Sequence, residues 1–232
     1  MEYDDEDYGL GKNLSEGSRI GFIRKVYMIL SALMLLTVGV VAYIYNDSSV
    51  STYLNNSPGI MILTMAVMIT IMYALGCYKA VARTVPINYI LLFVFAIAQS
   101  VFVGCICARY PPNIVLLAVA LTAAVVVGLT IYAFTTDSDF TMCGGVLLVA
   151  GLVLLVATII SFFVHNKILH IIISACGAIL FSIYLIYDTQ LVIGSGENAL
   201  STDDYIWGAM QLYIDIIQIF IKILHLLGEA QK

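Results

Sequence analysis

The sequence predicts an all-α membrane protein, a bundle of seven helices, and three observations point that way. Hydrophobic residues make up 62% of the 232 positions and charged residues only 11%, against about 45–50% and about 25% in an ordinary soluble domain. The apolar residues fall into runs of roughly 18–22, close to the ~20 that a helix needs to cross ~30 Å of hydrocarbon. Charges stand almost entirely between these runs. The lipid bilayer is therefore the first partner, and nothing in the chain points to nucleic acid.

The elements follow in order. Six of the fifteen acidic residues (Glu2, Asp4, Asp5, Glu6, Asp7 and Glu16) precede position 17. Residues 1–18 thus read as a disordered acidic cytosolic tail, since a charged stretch has little to bury, and residues 19–232 as the seven-helix transmembrane domain. No basic-then-apolar leader opens the chain, so the first span is expected to act as targeting signal. Arg19, Arg24 and Lys25 stand beside span one, Val26 to Tyr45. The loop NDSSVSTYLNNSPG lacks Lys and Arg and carries sequons at Asn46 and Asn55, which fits a lumenal side. Span two runs from Ile60 to about Cys77, and Lys79 and Arg83 follow it.

Pro86 opens span three, which continues to Cys107, because a first helical turn tolerates proline's missing N–H. Arg109, Pro111 and Pro112 close it. Span four runs from Ile114 to about Phe134, and the loop TTDSDFT adds Asp137 and Asp139. Span five covers Gly144 to Val164, a short turn at 165–167 follows, and span six covers Ile168 to Tyr187. With the tail in the cytosol, six Lys or Arg share its side in the tail and the loop after span two. Arg109 and Lys167 lie in the opposite loops. The excess of cations predicts a cytosolic N-terminus. Cys105 and Cys107, in an apolar run without any CxxC, read as small packing residues.

The last segment differs from the others. Asp204, Gly208, Gln211, Asp215, Gln218, Lys222, His225 and Glu229 are spaced by alternating fours and threes, which aligns them in one stripe of a helix. Such a helix can lie flat on a membrane or stand in a bundle with the stripe turned inward. A second carboxylate at membrane depth, Asp188 in YLIYDTQLVIG, favours the bundle. With span six extended by one turn, the charged residues inside the apolar segments are Asp188, Asp215 and Lys222. Lys222 lies ~10 Å along the axis from Asp215 and is close enough to a helix end to reach water.

An ionisable group in the hydrocarbon is a functional candidate by default. If Asp188 and Asp215 meet, they must share a proton or bind a cation, and calcium suits carboxylate oxygens. Gln211 and Gln218, one turn to either side of Asp215, read as path-lining groups or as packing glue between helices. No enzyme is expected. His165 and His170 are five apart rather than four, which does not fit a helical zinc pair, and Gly194-Ser195-Gly196 reads as a flexible turn rather than a nucleophile elbow.

Five stretches, IRKVYMIL, PINYILLF, LTIYAFTT with the DFT that follows, GAILFSIYLIYDTQ and LYIDIIQIFIKIL, occur in an order that resembles the Bax-inhibitor-motif family, in its lifeguard and Golgi anti-apoptotic branch. The likeness runs from residue 19 to about 227. It implies six spanning helices in two three-helix layers around a central C-terminal helix, in an endoplasmic reticulum or Golgi membrane. It further implies that Asp188 and Asp215 form a hydrogen-bonded dyad closing a calcium-leak path in a pH-dependent way. Suppression of cell death is also implied, either through calcium homeostasis or as a non-conducting scaffold for cell-death or calcium-channel proteins. Calcium and protons are then the ions handled, with no resident cofactor. Bacterial relatives latch the dyad with an arginine at the end of helix two, for which Lys79 and Arg83 are the candidates here. The chain departs from the pattern at TTDSDFT, where Asp137 and Ser138 replace a common basic residue.

Overall fold

The protein is seen in a computed structural model that describes residues 4–161, 163–164, 166–194 and 198–230, without the side chains of residues 4–16 and Asn55. Glu2, His165, Ser195 and Gly196 lie outside the described residues, as do the acidic side chains of the tail.

The chain folds into α1 (Asp4–Asn46), α2 (Ser48–Asn55), α3 (Pro58–Cys77), α4 (Lys79–Arg83), α5 (Ile87–Cys107), α6 (Pro112–Thr135), a 3₁₀ turn (Phe140–Cys143), α7 (Gly144–Ser161), α8 (Lys167–Ile193) and α9 (Tyr205–Ala230). Among the described residues, seven helices are long and apolar enough to cross a membrane: α1 from Gly17 onward, α3, α5, α6, α7 with the turn before it, α8 and α9. Among the described residues there is no strand.

Local chemistry explains where the boundaries depart from the apolar runs. The stretch after span one, expected as a loop, holds α2, because the Asp47 carboxylate accepts from the Ser49 and Val50 N–H groups at 2.9 and 3.1 Å and caps a helix start. Pro112 does not close span three. It opens α6, with Pro111 extended before it, for the same reason that Pro58 suits the first turn of α3. Pro86 stands one residue outside, at the N-cap of α5. Span five stops at Ser161, short of Val164. Span six does not stop at Tyr187: Asp188, Thr189 and Gln190 remain helical and α8 ends at Gly194, whose φ of 76° is the left-handed conformation suited to a helix end. Asp188 is thus an interior residue of its helix, because its polar side chain is covered by neighbours and gives the chain no reason to turn.

In the packing, α9 lies against α1, α5, α6 and α8, whereas α3 leans on α5 and α7 on α8. In α5 and α9, 61% of the most apolar stretch is buried, against 6% in the α7 segment. A flat, surface-lying α9 is therefore excluded. Gly208 and Lys222 of its polar stripe face α8 in antiparallel register: Gly208 meets the Val192 methyl, and the Lys222 stem lies over Gly177. A Cβ on Gly177 would come within 2.7 Å of Lys222 Cε. The Tyr213 hydroxyl of α9 meets Thr37 Oγ1 of α1 at 2.7 Å, and Ser100 Oγ of α5 reaches the same threonine at 3.1 Å.

Four segments gather at one end of the bundle. Arg19 donates to the carbonyls of Leu191, Ile193 and Leu200 beyond and within the last turn of α8, where unpaired carbonyls and the helix dipole favour a cation. The Lys25 ammonium sits 3.2 Å from the centre of the Tyr205 ring. Arg83 grips Asp204, and Gln190 grips the loop before the 3₁₀ turn. The cations after span two therefore share an end with those before span one.

Candidate functional site

The polar triplet of α8, Asp188, Thr189 and Gln190, is nearly inaccessible, at 3%, 0% and 1% exposure, and Asp215 on α9 is at 4%. The register of α8 on α9 brings the two aspartates within electrostatic reach of one another. A carboxylate only accepts, so a hydrogen bond between the two would require a proton on one of them. Asp215 Oδ2 has no hydrogen-bond partner. Tyr27 of α1 brings its hydroxyl towards Thr189, but at a geometry outside that of a hydrogen bond, so both buried oxygens also stand unpaired. Unsatisfied buried oxygens are uncommon in folded proteins. Here they occur on α1, α8 and α9 at and beside the pair.

Two tyrosines hold α7 against the same stretch of α8. Tyr184 donates to the Leu147 carbonyl at 2.7 Å, and the Tyr187 ring lies over Gly144. Both contacts need glycine, since a Cβ at Gly144 or Gly151 would come within 2.8 Å of a tyrosine hydroxyl. Gln190 then ties down the loop: its Oε1 accepts from the Phe140 N–H and its Nε2 donates to the Ser138 carbonyl, each at 2.8 Å. Asp139 in that loop accepts from the Thr141 N–H and hydroxyl and so starts the 3₁₀ turn.

The remaining candidates are placed as follows. Gln211 and Gln218 flank Asp215 and are half-buried, and the structure gives neither a hydrogen bond to the pair. Lys79 is exposed. Arg83 makes a two-pronged bond to Asp204 at 2.8 and 2.9 Å, at the mouth of α9 rather than at the dyad. This hydrogen bond, reinforced by the Asp204 charge, holds the guanidinium above its ordinary range. Lys222 is buried at 9% exposure, and among the described residues no salt bridge engages it. His225 is stacked with Tyr110 at 6.1 Å, and Cys105 and Cys107 are core residues. Charge spacing did not single out Gln190, Thr189 or Tyr27. The signal for the first two was in the sequence, as a polar triplet inside an apolar run. Tyr27 had none.

The family described as "Inhibitor of apoptosis-promoting Bax1" matches residues 19–232. The chain belongs to this Bax1-inhibitor family. Protein lifeguard 3 of Homo sapiens is 37% identical over 98% of the chain and 76% of its own length. Protein lifeguard 3 of Mus musculus is 37% identical over 91% of the chain and 70% of its own length, and protein lifeguard 4 of Mus musculus 30% identical over 98% and 94%. The Bax1-inhibitor match begins at Arg19, the residue that caps α8, and leaves the acidic tail outside.

Proposed function

We propose that this Bax1-inhibitor protein is a pH-sensitive calcium leak channel or exchanger of an endoplasmic reticulum or Golgi membrane, its N-terminus cytosolic, and that Asp188 and Asp215 form its gate and transit site. The observation that supports this reading is the pair of nearly inaccessible aspartates on the packed helices α8 and α9, with no salt bridge to either among the described residues. While a proton is shared, the pair bridges α8 to α9 and the path is shut. Once it leaves, two like charges at ~4 Å repel by ~4 kcal/mol at an effective dielectric of about 20, which parts the helices and turns carboxylate oxygens towards an entering cation. Calcium takes 6–8 oxygens, more than two carboxylates supply, so water must complete its shell. That suits an ion in passage better than one in storage.

Calcium entry into proteoliposomes carrying the purified protein tests the reading. Flux is expected to fall as pH is lowered, and Asp188→Asn and Asp215→Asn, which keep a hydrogen bond across the pair at every pH, are expected to hold flux low and flat. Absence of pH-dependent permeation, or two variants indistinguishable from wild type, would sink it. A second reading, a non-conducting scaffold that suppresses cell death through protein partners, draws on the family description, which names inhibition of an apoptosis-promoting protein and not transport. It requires protection in cells to survive Asp215→Asn and to be lost with the cytosolic segments.

A further inference from the structure

Between α1 and α6 runs an open cleft of about 1160 Å³ whose floor is α9 at Ile216, Ile217 and Phe220. It extends along α1 from Tyr27 to Asn46 and along α6 from Ile131 to Pro112. At 1.5 Å per residue that is ~28 Å, nearly the full depth of the hydrocarbon. Its lining is almost wholly apolar, and of the hydroxyls in its walls Ser31, Thr37 and Thr122 each donate back to a carbonyl of their own helix at 2.7–2.9 Å and Tyr45 donates to the Tyr110 carbonyl. A dry slot open to the bilayer interior fills with hydrocarbon. Its floor residues are only 7%, 3% and 8% exposed, so the slot narrows inward. A partner helix, whose axis must stand 8–10 Å from its neighbour, does not seat there, whereas a methylene chain does.

A charge stands one turn beyond the end of the slot. The wall positions Tyr27, Met34 and Val41 are spaced by seven, with Ser31 and Val38 between them, and the same helical face reaches Arg24 one turn beyond Tyr27. Arg24 is exposed, and no hydrogen bond or ion pair engages it among the described residues. A guanidinium at the membrane interface, at the head of an apolar slot, matches a phosphate above an acyl chain.

We propose that the cleft between α1 and α6 is a binding site for one membrane phospholipid, an acyl chain lying on the α9 floor and the phosphate held by Arg24. The site needs nothing from the carboxyl pair. Because Ile216 and Ile217 directly follow Asp215, however, the bound chain touches the turn of α9 that carries it.

The test uses the full chain in phosphatidylcholine nanodiscs containing a trace of phospholipid with a photoreactive group midway along its chain, with labelled peptides mapped by mass spectrometry. Labelling is expected to concentrate on the facing sides of α1 and α6, about tenfold over the bilayer-exposed α3 and α7, the ~1.4 kcal/mol that separates a site from bulk lipid. Ala123→Trp, or Val38→Trp from the opposite wall, should bring it down to the α3 and α7 level. A diacylglycerol probe with the same chain should label the wild-type slot more weakly than the phospholipid does, and Arg24→Gln should erase that difference. Even labelling of all exposed helices in the wild type overturns the proposal whether or not the tryptophan variants fold. So does displacement of the label by a sterol but not by unlabelled phospholipid, or cross-linking of two copies through this face.

Discussion

Replacing Gln190 by Met keeps the length of the side chain and removes both of its polar ends. Two hydrogen bonds of 2.8 Å are lost, and the Phe140 N–H and Ser138 carbonyl, partly buried, lose their partners. A typical hydrogen bond contributes ~1 kcal/mol, and an orphaned buried group adds ~1–3 kcal/mol. Water can reach part of this loop, so the sum falls at ~2–3 kcal/mol against local opening. At ~1.4 kcal/mol per factor of ten, the Phe140 amide should exchange ~30- to 150-fold faster. Hydrogen exchange of the protein in nanodiscs reads this directly on a peptide covering residues 136–143, with the middle of α7 as the unchanged reference. Unchanged exchange at Phe140 would show that Gln190 does not hold the loop. Equal acceleration through α8 would show that the substitution melts the helix, and the tether as described would be wrong.

Other perturbations have different signatures. Tyr213→Phe keeps the ring against Phe95 at 6.2 Å, and Thr37 and Ser100 keep their carbonyl acceptors at Leu33 and Ala96. Only one interhelical bond is lost, and a detergent unfolding titration should show ~0.6–1.7 kcal/mol; a cost above ~3 kcal/mol would contradict that accounting. Lys222→Met removes a mostly buried lysine that has no salt bridge among the described residues, and thermal unfolding should show a protein unchanged or more stable by ~1–4 kcal/mol; a clear loss would mean the cation is satisfied after all. For the Arg83 pair, the folded-state value is raised, so its contribution is complete below the ordinary arginine range and lost only far above neutrality. Stability owed to it should not change between mildly acidic and mildly alkaline pH. It should fade with added salt, and Arg83→Gln and Asp204→Asn should each abolish that salt dependence in a melting series.

The spans were legible in the sequence because twenty apolar residues in a row have few solutions other than crossing a membrane. Errors came where a polar residue was taken as punctuation. Asp47 marked the start of α2 instead of an irregular loop, Pro112 opened a helix instead of ending one, and Asp188 to Gln190 continued α8 through the point where hydropathy fell. Hydropathy registers what a side chain is, whereas helix ends depend on whether backbone groups find partners, and a covered polar residue leaves the ladder intact.

Charge bookkeeping by itself singled out Asp188 and Asp215, because a carboxylate in hydrocarbon is costly enough to be conspicuous in any chain, and the spacing through Asp215 predicted a polar face for α9. Only the tertiary structure decided that the two aspartates come within electrostatic reach across α8 and α9, since this rests on the register set by Gly177 under Lys222 and Gly208 under Val192. It also decided that Arg83, a latch candidate by position, is taken by Asp204 across 121 residues of chain. The α1–α6 slot belongs to the tertiary structure too: its walls are ordinary apolar helix faces, and a gap between two helices is a property of their distance, which no pattern within either one encodes.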